Sequence, residues 1–113
     1  MALLSKQSVL SVDDFQYDVV PCPEWGGDMR VRGLTAAEQS LVYKRYSDGK
    51  TEDFDVIVCI MGCVDENGDR VFDNSDKEAL RQKSFAVLDR IAKKIIALTG
   101  DNDPESIEAV RKN

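Results

Sequence analysis

Phe54-Asp55-Val56-Ile57-Val58-Cys59-Ile60-Met61-Gly62-Cys63-Val64 holds the longest apolar run of the chain. Its reading decides whether the molecule is mostly helical. β-Branched residues at 56, 57, 58 and 60 would suit a buried strand equally well. We prefer a helix. The run is long, and Glu52, Asp53 and Asp55 gather at its start, where the positive end of a helix dipole favours carboxylates. A helix buried on most sides is apolar nearly all round. The spacing therefore predicts a helix starting near Thr51 or Asp53. Val56 to Val64 falls far short of the roughly 20 residues needed to span a bilayer.

Upstream, Leu34-Thr35-Ala36-Ala37-Glu38 opens another helix, with Thr35 as N-cap and Glu38 as its N3 partner in a capping box. It continues through Leu41, Val42, Arg45 and Tyr46, and Ser47-Asp48-Gly49 stops it. Before it, Phe15-Gln16-Tyr17-Asp18-Val19-Val20 reads as a strand from its alternation and its aromatic and β-branched content. Pro21-Cys22-Pro23 is expected to end that strand, because proline lacks a ladder donor. Trp25-Gly26-Gly27-Asp28 is a turn in which both glycines can supply positive φ. Met29-Arg30-Val31-Arg32 returns, completing a β-hairpin with a loop of about six to eight residues. Residues 1–14 carry mixed signals.

Downstream, Asn67-Gly68 between Cys63-Val64 and Val71-Phe72 predicts a tight type I′ turn. Ser75 and Glu78 form a second capping box, opening a helix through Ala79 and Leu80. Phe85, Leu88, Ile91, Ala92, Ile95 and Leu98 recur at amphipathic helix spacing, and Gly100 ends that helix. Asp103-Pro104-Glu105 opens a last short helix with Ile107 and Val110 on one face. The expected fold is α+β and mostly helical. An N-terminal β-hairpin is followed by a small bundle of about four helices, with the short Asn-Gly turn between helices. Residues 1–113 read as a single domain, with 1–14 and 101–113 peripheral.

The chain of 113 residues has 42% apolar and 32% charged residues, which fits a globular protein rather than a disordered one. Twenty-one acidic against fifteen basic residues leave a net charge of −6, which argues against nucleic acid or an anionic membrane as partner. With no histidine, catalytic triads and histidine metal sites are excluded. No secretory signal is visible. The odd set Cys22, Cys59 and Cys63 fits reduced, buried thiols in a cytoplasmic protein. Cys59 and Cys63 lie one helical turn apart, but a zinc site needs more ligands than Cys22 can add, and the redox Cys-x-x-Cys spacing is missing. The run Asp65 to Asp69 resembles a calcium loop only superficially: counted from Asp65, the sixth position is Arg70 and the twelfth Asp76, where an EF-hand wants glycine and glutamate. Gly26-Gly27 lacks the lysine and hydroxyl of a phosphate loop. No catalytic, cofactor-binding or metal-binding residue is therefore expected.

Contact residues are the remaining candidates. Trp25 on its glycine-rich turn is either folded over the hairpin or presented to a partner. The Phe85–Leu98 stripe is either core or interface, because a chain this small carries more apolar faces than one core need hide. The candidates for partner contact are Trp25, Val31, Phe85, Leu88 and Ile95.

Val20-Pro21-Cys22-Pro23-Glu24-Trp25-Gly26-Gly27-Asp28-Met29-Arg30-Val31-Arg32-Gly33-Leu34-Thr35 resembles the opening of tail assembly chaperones from long-tailed bacteriophages and prophages. Asp65-Glu66-Asn67-Gly68 with Val71-Phe72, the acidic start at Asp76, and the helix closing on Gly100 resemble the same family. The likeness covers roughly residues 15–113. It implies a non-enzymatic protein without cofactor that binds the tape-measure protein, keeps it soluble and helps the tail-tube protein polymerise around it. It also implies self-association, the host cytoplasm as location, and absence from the mature virion. The family carries no catalytic residues to transfer. A structural role in the virion, as a minor tail or head–tail connector protein, is the competing expectation.

Overall fold

A computed structural model describes residues 3–100. The last predicted helix, around Pro104, Ile107 and Val110, lies outside the described residues, as do the first two. Chain order is α1 (Lys6–Ser11), β1 (Tyr17–Cys22), a 3₁₀ turn (Pro23–Trp25), β2 (Gly27–Arg32), α2 (Ala36–Ser47), α3 (Phe54–Gly62), a second 3₁₀ turn (Asn74–Asp76), α4 (Lys77–Arg81) and α5 (Phe85–Thr99). The fold is α+β and mostly helical. Among the described residues, one antiparallel hairpin is followed by four helices; α5 packs against the hairpin and pairs with α3.

β1 pairs with β2 from Tyr17 opposite Arg32 to Cys22 opposite Gly27. The strand thus runs through Pro21 and Cys22 instead of stopping there, and the loop is only residues 23–26. The physical reason lies in the register. Gly33 N–H donates to Gln16 O at 3.2 Å, so ladder bonds fall at every second residue from 16 and Pro21 occupies a position that donates nothing to β2. Its outward carbonyl instead accepts from Arg90 Nη1 at 3.2 Å. Of the two glycines only Gly26 is left-handed, at φ 83°.

α2 begins as expected. Thr35 Oγ1 accepts from Glu38 N–H at 3.0 Å, and Glu38 Oε1 accepts from Thr35 N–H at 2.8 Å. α3 is a helix, from Phe54 to Gly62. Its N-cap Asp53 sits in the left-handed region at φ 63° and makes no side-chain cap bond; its carboxylate takes Arg81 Nε at 2.9 Å instead. Past α3 the chain becomes extended. Val64 N–H donates to Arg30 O at 2.9 Å, and Cys63 bridges Val31, so this segment lies along the free edge of β2.

The Asn-Gly turn is not type I′, which needs positive φ at both central residues. Only Gly68 has it, at 85°. Gly68 N–H donates to Asp65 O at 3.0 Å and Asp65 N–H to Asp69 O at 2.8 Å, the pattern of a type I turn closed by a glycine bulge. Asp65 Oδ1 stabilises it by accepting from Asn67 and Asp69 N–H at 2.8 and 3.0 Å. The second capping box also moves: Asp73 caps in place of Ser75, with Asp76 reaching back to Asp73 N–H at 2.9 Å. The turn then passes into α4, which stops at Arg81. α5 follows, ended by left-handed Gly100. α1 is an element the sequence reading omits. Ser5 caps it, with Ser8 returning the bond.

Among the described residues, the buried apolar side chains other than Val64 form one cluster, drawn from both strands and from α2 to α5. Two glycines let backbones approach closely. A Cβ on Gly33 would stand 2.6 Å from Leu98 O, and one on Gly62 would stand 2.6 Å from the Ile95 side chain. Leu34 N–H donates to Thr99 Oγ1 at 3.0 Å, tying the end of β2 to the end of α5.

Candidate functional site

The polar groups that could carry chemistry are engaged in holding the fold. Glu38 is buried at the start of α2. Its carboxylate accepts from both Arg32 guanidinium nitrogens, at 2.9 and 3.1 Å, and from Arg70. Burial pushes the Glu38 carboxyl up, but the hydrogen bonds from Arg32, Thr35 N–H and Arg70 outweigh it and hold the group at about 2. It stays ionised at neutral pH, with its oxygens occupied. Arg32 also donates to Gly33 O at 2.7 Å and lies 4.6 Å over the Phe15 ring.

All three thiols are buried and free. The Cys59 thiol is pushed up by its hydrogen bond with Cys63 and by burial, and it lies 3.7 Å from Leu88 O. Burial likewise raises Cys22. With their protons held, Cys22 and Cys59 are poor nucleophiles and metal ligands. Among the described residues no three Cys, Asp or Glu side chains gather to hold a metal ion. No described helix is long and apolar enough to cross a membrane.

The five expected contact residues separate. Val31, Leu88 and Ile95 are wholly inside the core, where the hairpin, α3 and α5 cover them. They are spoken for by this chain's own packing, and the inner half of the Phe85–Leu98 stripe is core. Trp25 is half-buried on its turn and packs against the core edge. Next to it, Arg90 clamps Glu24 with two bonds, at 2.9 and 2.6 Å, and this pair holds the Glu24 carboxyl at about 2. Phe85, at 72% exposure, stands open to solvent, while Val87 takes the buried place at the start of α5.

Sequence reasoning missed two surfaces, one apolar and one of mixed polar and apolar lining. One is an arm, residues 3–12, in which Leu3, Leu4, Val9, Leu10 and Val12 are all exposed and no residue of α1 is buried. Its root is fixed: Asp13 accepts from Phe15 N–H at 3.0 Å and from Tyr17 Oη at 2.9 Å. The signal that could have found its helix is Ser5 followed three residues later by Ser8. The other surface is a groove between the start of α3 and the outer face of α5. It consists of two adjoining hollows of about 460 and 490 Å3 that share Phe54, Asp55 and Asp89. Phe85 flanks one hollow and Ile96 the other.

No protein-family model matches this chain, and no curated protein matches it. Among solved structures, the tail assembly chaperone of bacteriophage HK97 shares the fold, with a TM-score of 0.66 at 22% sequence identity. The superposition covers 87% of this chain and 95% of that one. The resemblance carried by Val20–Thr35 thus extends to the three-dimensional arrangement of nearly the whole chain.

Proposed function

We propose that this chain is a tail assembly chaperone of a long-tailed phage or prophage. It binds the tape-measure protein, keeps it soluble in the host cytoplasm, and promotes assembly of the tail tube around it without catalysing a reaction. The observation that carries this reading is the shared fold with the HK97 chaperone over nearly the full length of both chains. The surface chemistry supports it. A holdase needs apolar area for its client and net charge to keep the complex dissolved. This chain combines exposed Leu3, Leu4, Leu10 and Phe85 with a charge of −6.

The test is co-expression of the tagged chain with the tape-measure protein of the same phage. The expected result is that the tape-measure protein moves from the pellet to the supernatant and co-purifies with the tag. A tape-measure protein that stays insoluble and unbound would count against the reading. Finding the chain in purified virions in fixed stoichiometry would assign it to the particle instead.

A further inference from the structure

We propose that the groove between α3 and α5 seats an amphipathic helix of the client, with apolar side chains of that helix against Phe85 and Ile96 and a lysine or arginine beside Asp55. The existence of a client rests on the chaperone reading; the surface and the chemistry that take it up are read from the groove. α5 serves two faces. Leu88, Ile91 and Ile95 enter the core. Phe85, Asp89, Ala92 and Ile96 recur at intervals of four, three and four residues and line the groove, with buried Ala92 as its floor. Phe54 faces them from α3, and both phenylalanines are exposed. Exposed rings beside a small floor residue suit the close approach of a third helix. The wall from Phe85 to Ala97 is about 18 Å long, room for about three turns of a partner. It is helical backbone bonded to itself, so an extended client would leave its own peptide groups unpaired there, and a helix would not.

Charge identifies the occupant further. Asp53 pairs with Arg81 and Lys77, and Asp89 pairs with Lys93. Among the described residues, Asp55 inside the groove and Lys83 on its exposed rim make no ion pair. Asp55 is half-buried where the two hollows meet. Burial and the neighbouring Asp89 both raise its carboxyl, with Lys93 opposing, so a further cation placed there is favoured. The matching segment therefore carries a basic residue with apolar residues on either side of it. The charge of −6 makes such a helix a better occupant than a second copy of this acidic chain.

The test measures binding of the full chain to the tape-measure protein of the same phage and to overlapping synthetic peptides that span it. Phe85→Asp and Asp55→Lys should each weaken binding at least about tenfold. Asp55→Asn, which keeps the shape, should weaken it less and in the same direction. Both positions are solvent-accessible, and unchanged near-ultraviolet circular dichroism checks that the variants fold. The peptides that bind should become helical on binding and contain the basic residue. Replacing that residue by glutamate should weaken binding to the wild type and restore binding to Asp55→Lys. A photo-crosslinking p-benzoylphenylalanine in place of Phe85 should capture the same client segment. Groove variants that bind the tape-measure protein as well as the wild type does, or a crosslink that reaches only a second copy or the chain's own residues, would overturn this inference and leave the chaperone reading standing. A wild type that neither binds nor solubilises the tape-measure protein would overturn both.

Discussion

Glu38 shows how much a single side chain can organise. It closes the cap of α2, neutralises Arg32 at the end of β2, and receives Arg70 from the loop after α3. Removing it leaves the buried Arg32 guanidinium without a counter-ion. Glu38→Ala is therefore expected to cost about 3–5 kcal/mol of folding stability, measured by urea denaturation. The pH dependence has a definite sign. In the folded chain the carboxyl is held at about 2, against an ordinary value of 4.5. Its contribution is thus complete above about pH 4.5 and drains away as pH falls toward 2. Glu38→Gln should flatten the loss of stability across that window without abolishing it, since Asp13, Asp18, Glu24 and Asp73 are also lowered. An acid limb as steep as that of the wild type would contradict this. The cap was legible in sequence because its two partners are three residues apart. The arginines were not, because a strand and a loop bring them from elsewhere in the chain.

Elements were legible where the signal was local and repeated. The period of α5, the acidic entry to α3 and the capped start of α2 all specified helices that formed. Hairpin details were less legible, because they depend on which side of a strand each peptide faces. Pro21 breaks a ladder only at alternate positions, and its actual register spares it. The box expected at Ser75 and Glu78 forms instead two residues earlier, where Asp73 caps the 3₁₀ turn that precedes α4. Packing between elements has its own requirement at Gly62. There α3 meets α5 so closely that an added methyl would lie 2.6 Å from Ile95 Cδ1 and Cγ2. Gly62→Ala should cost about 1–3 kcal/mol despite alanine's better helix propensity, since overpacking outweighs the smaller propensity gain. In a double-mutant cycle, Ile95→Val removes Cδ1 and should return part of that cost. Strict additivity of the two substitutions in thermal or urea unfolding would show that the crowding at this crossing is not what limits the site.

At the scale of the molecule, one part of the chain builds the interior and another lies outside it. The apolar groups of the hairpin, α3 and α5 converge on one interior, and Arg90 to Glu24 and Lys94 to Asp18 pin α5 across the hairpin. This explains why Val31, Leu88 and Ile95, drawn from apolar stripes that sequence alone leaves open to two uses, are consumed by folding. The arm takes no part in that interior. Its attachment begins at Asp13, through Phe15 N–H and Tyr17 Oη. Deleting residues 1–12 while keeping Asp13 should therefore leave the unfolding free energy of the monomer within about 0.5 kcal/mol, as for surface changes that remove no buried contact. Trp25, the single tryptophan, reports the hairpin edge, while far-ultraviolet dichroism reports mainly the helices. With one shared core, both probes should give the same midpoint before and after the deletion. The comparison is best made at low protein concentration, because any association through the arm would add concentration-dependent stability to the full-length chain alone. A midpoint that falls on deletion under those dilute conditions would mean that the arm contributes to the monomer's own fold. It would then be a structural element rather than a surface held ready for another chain.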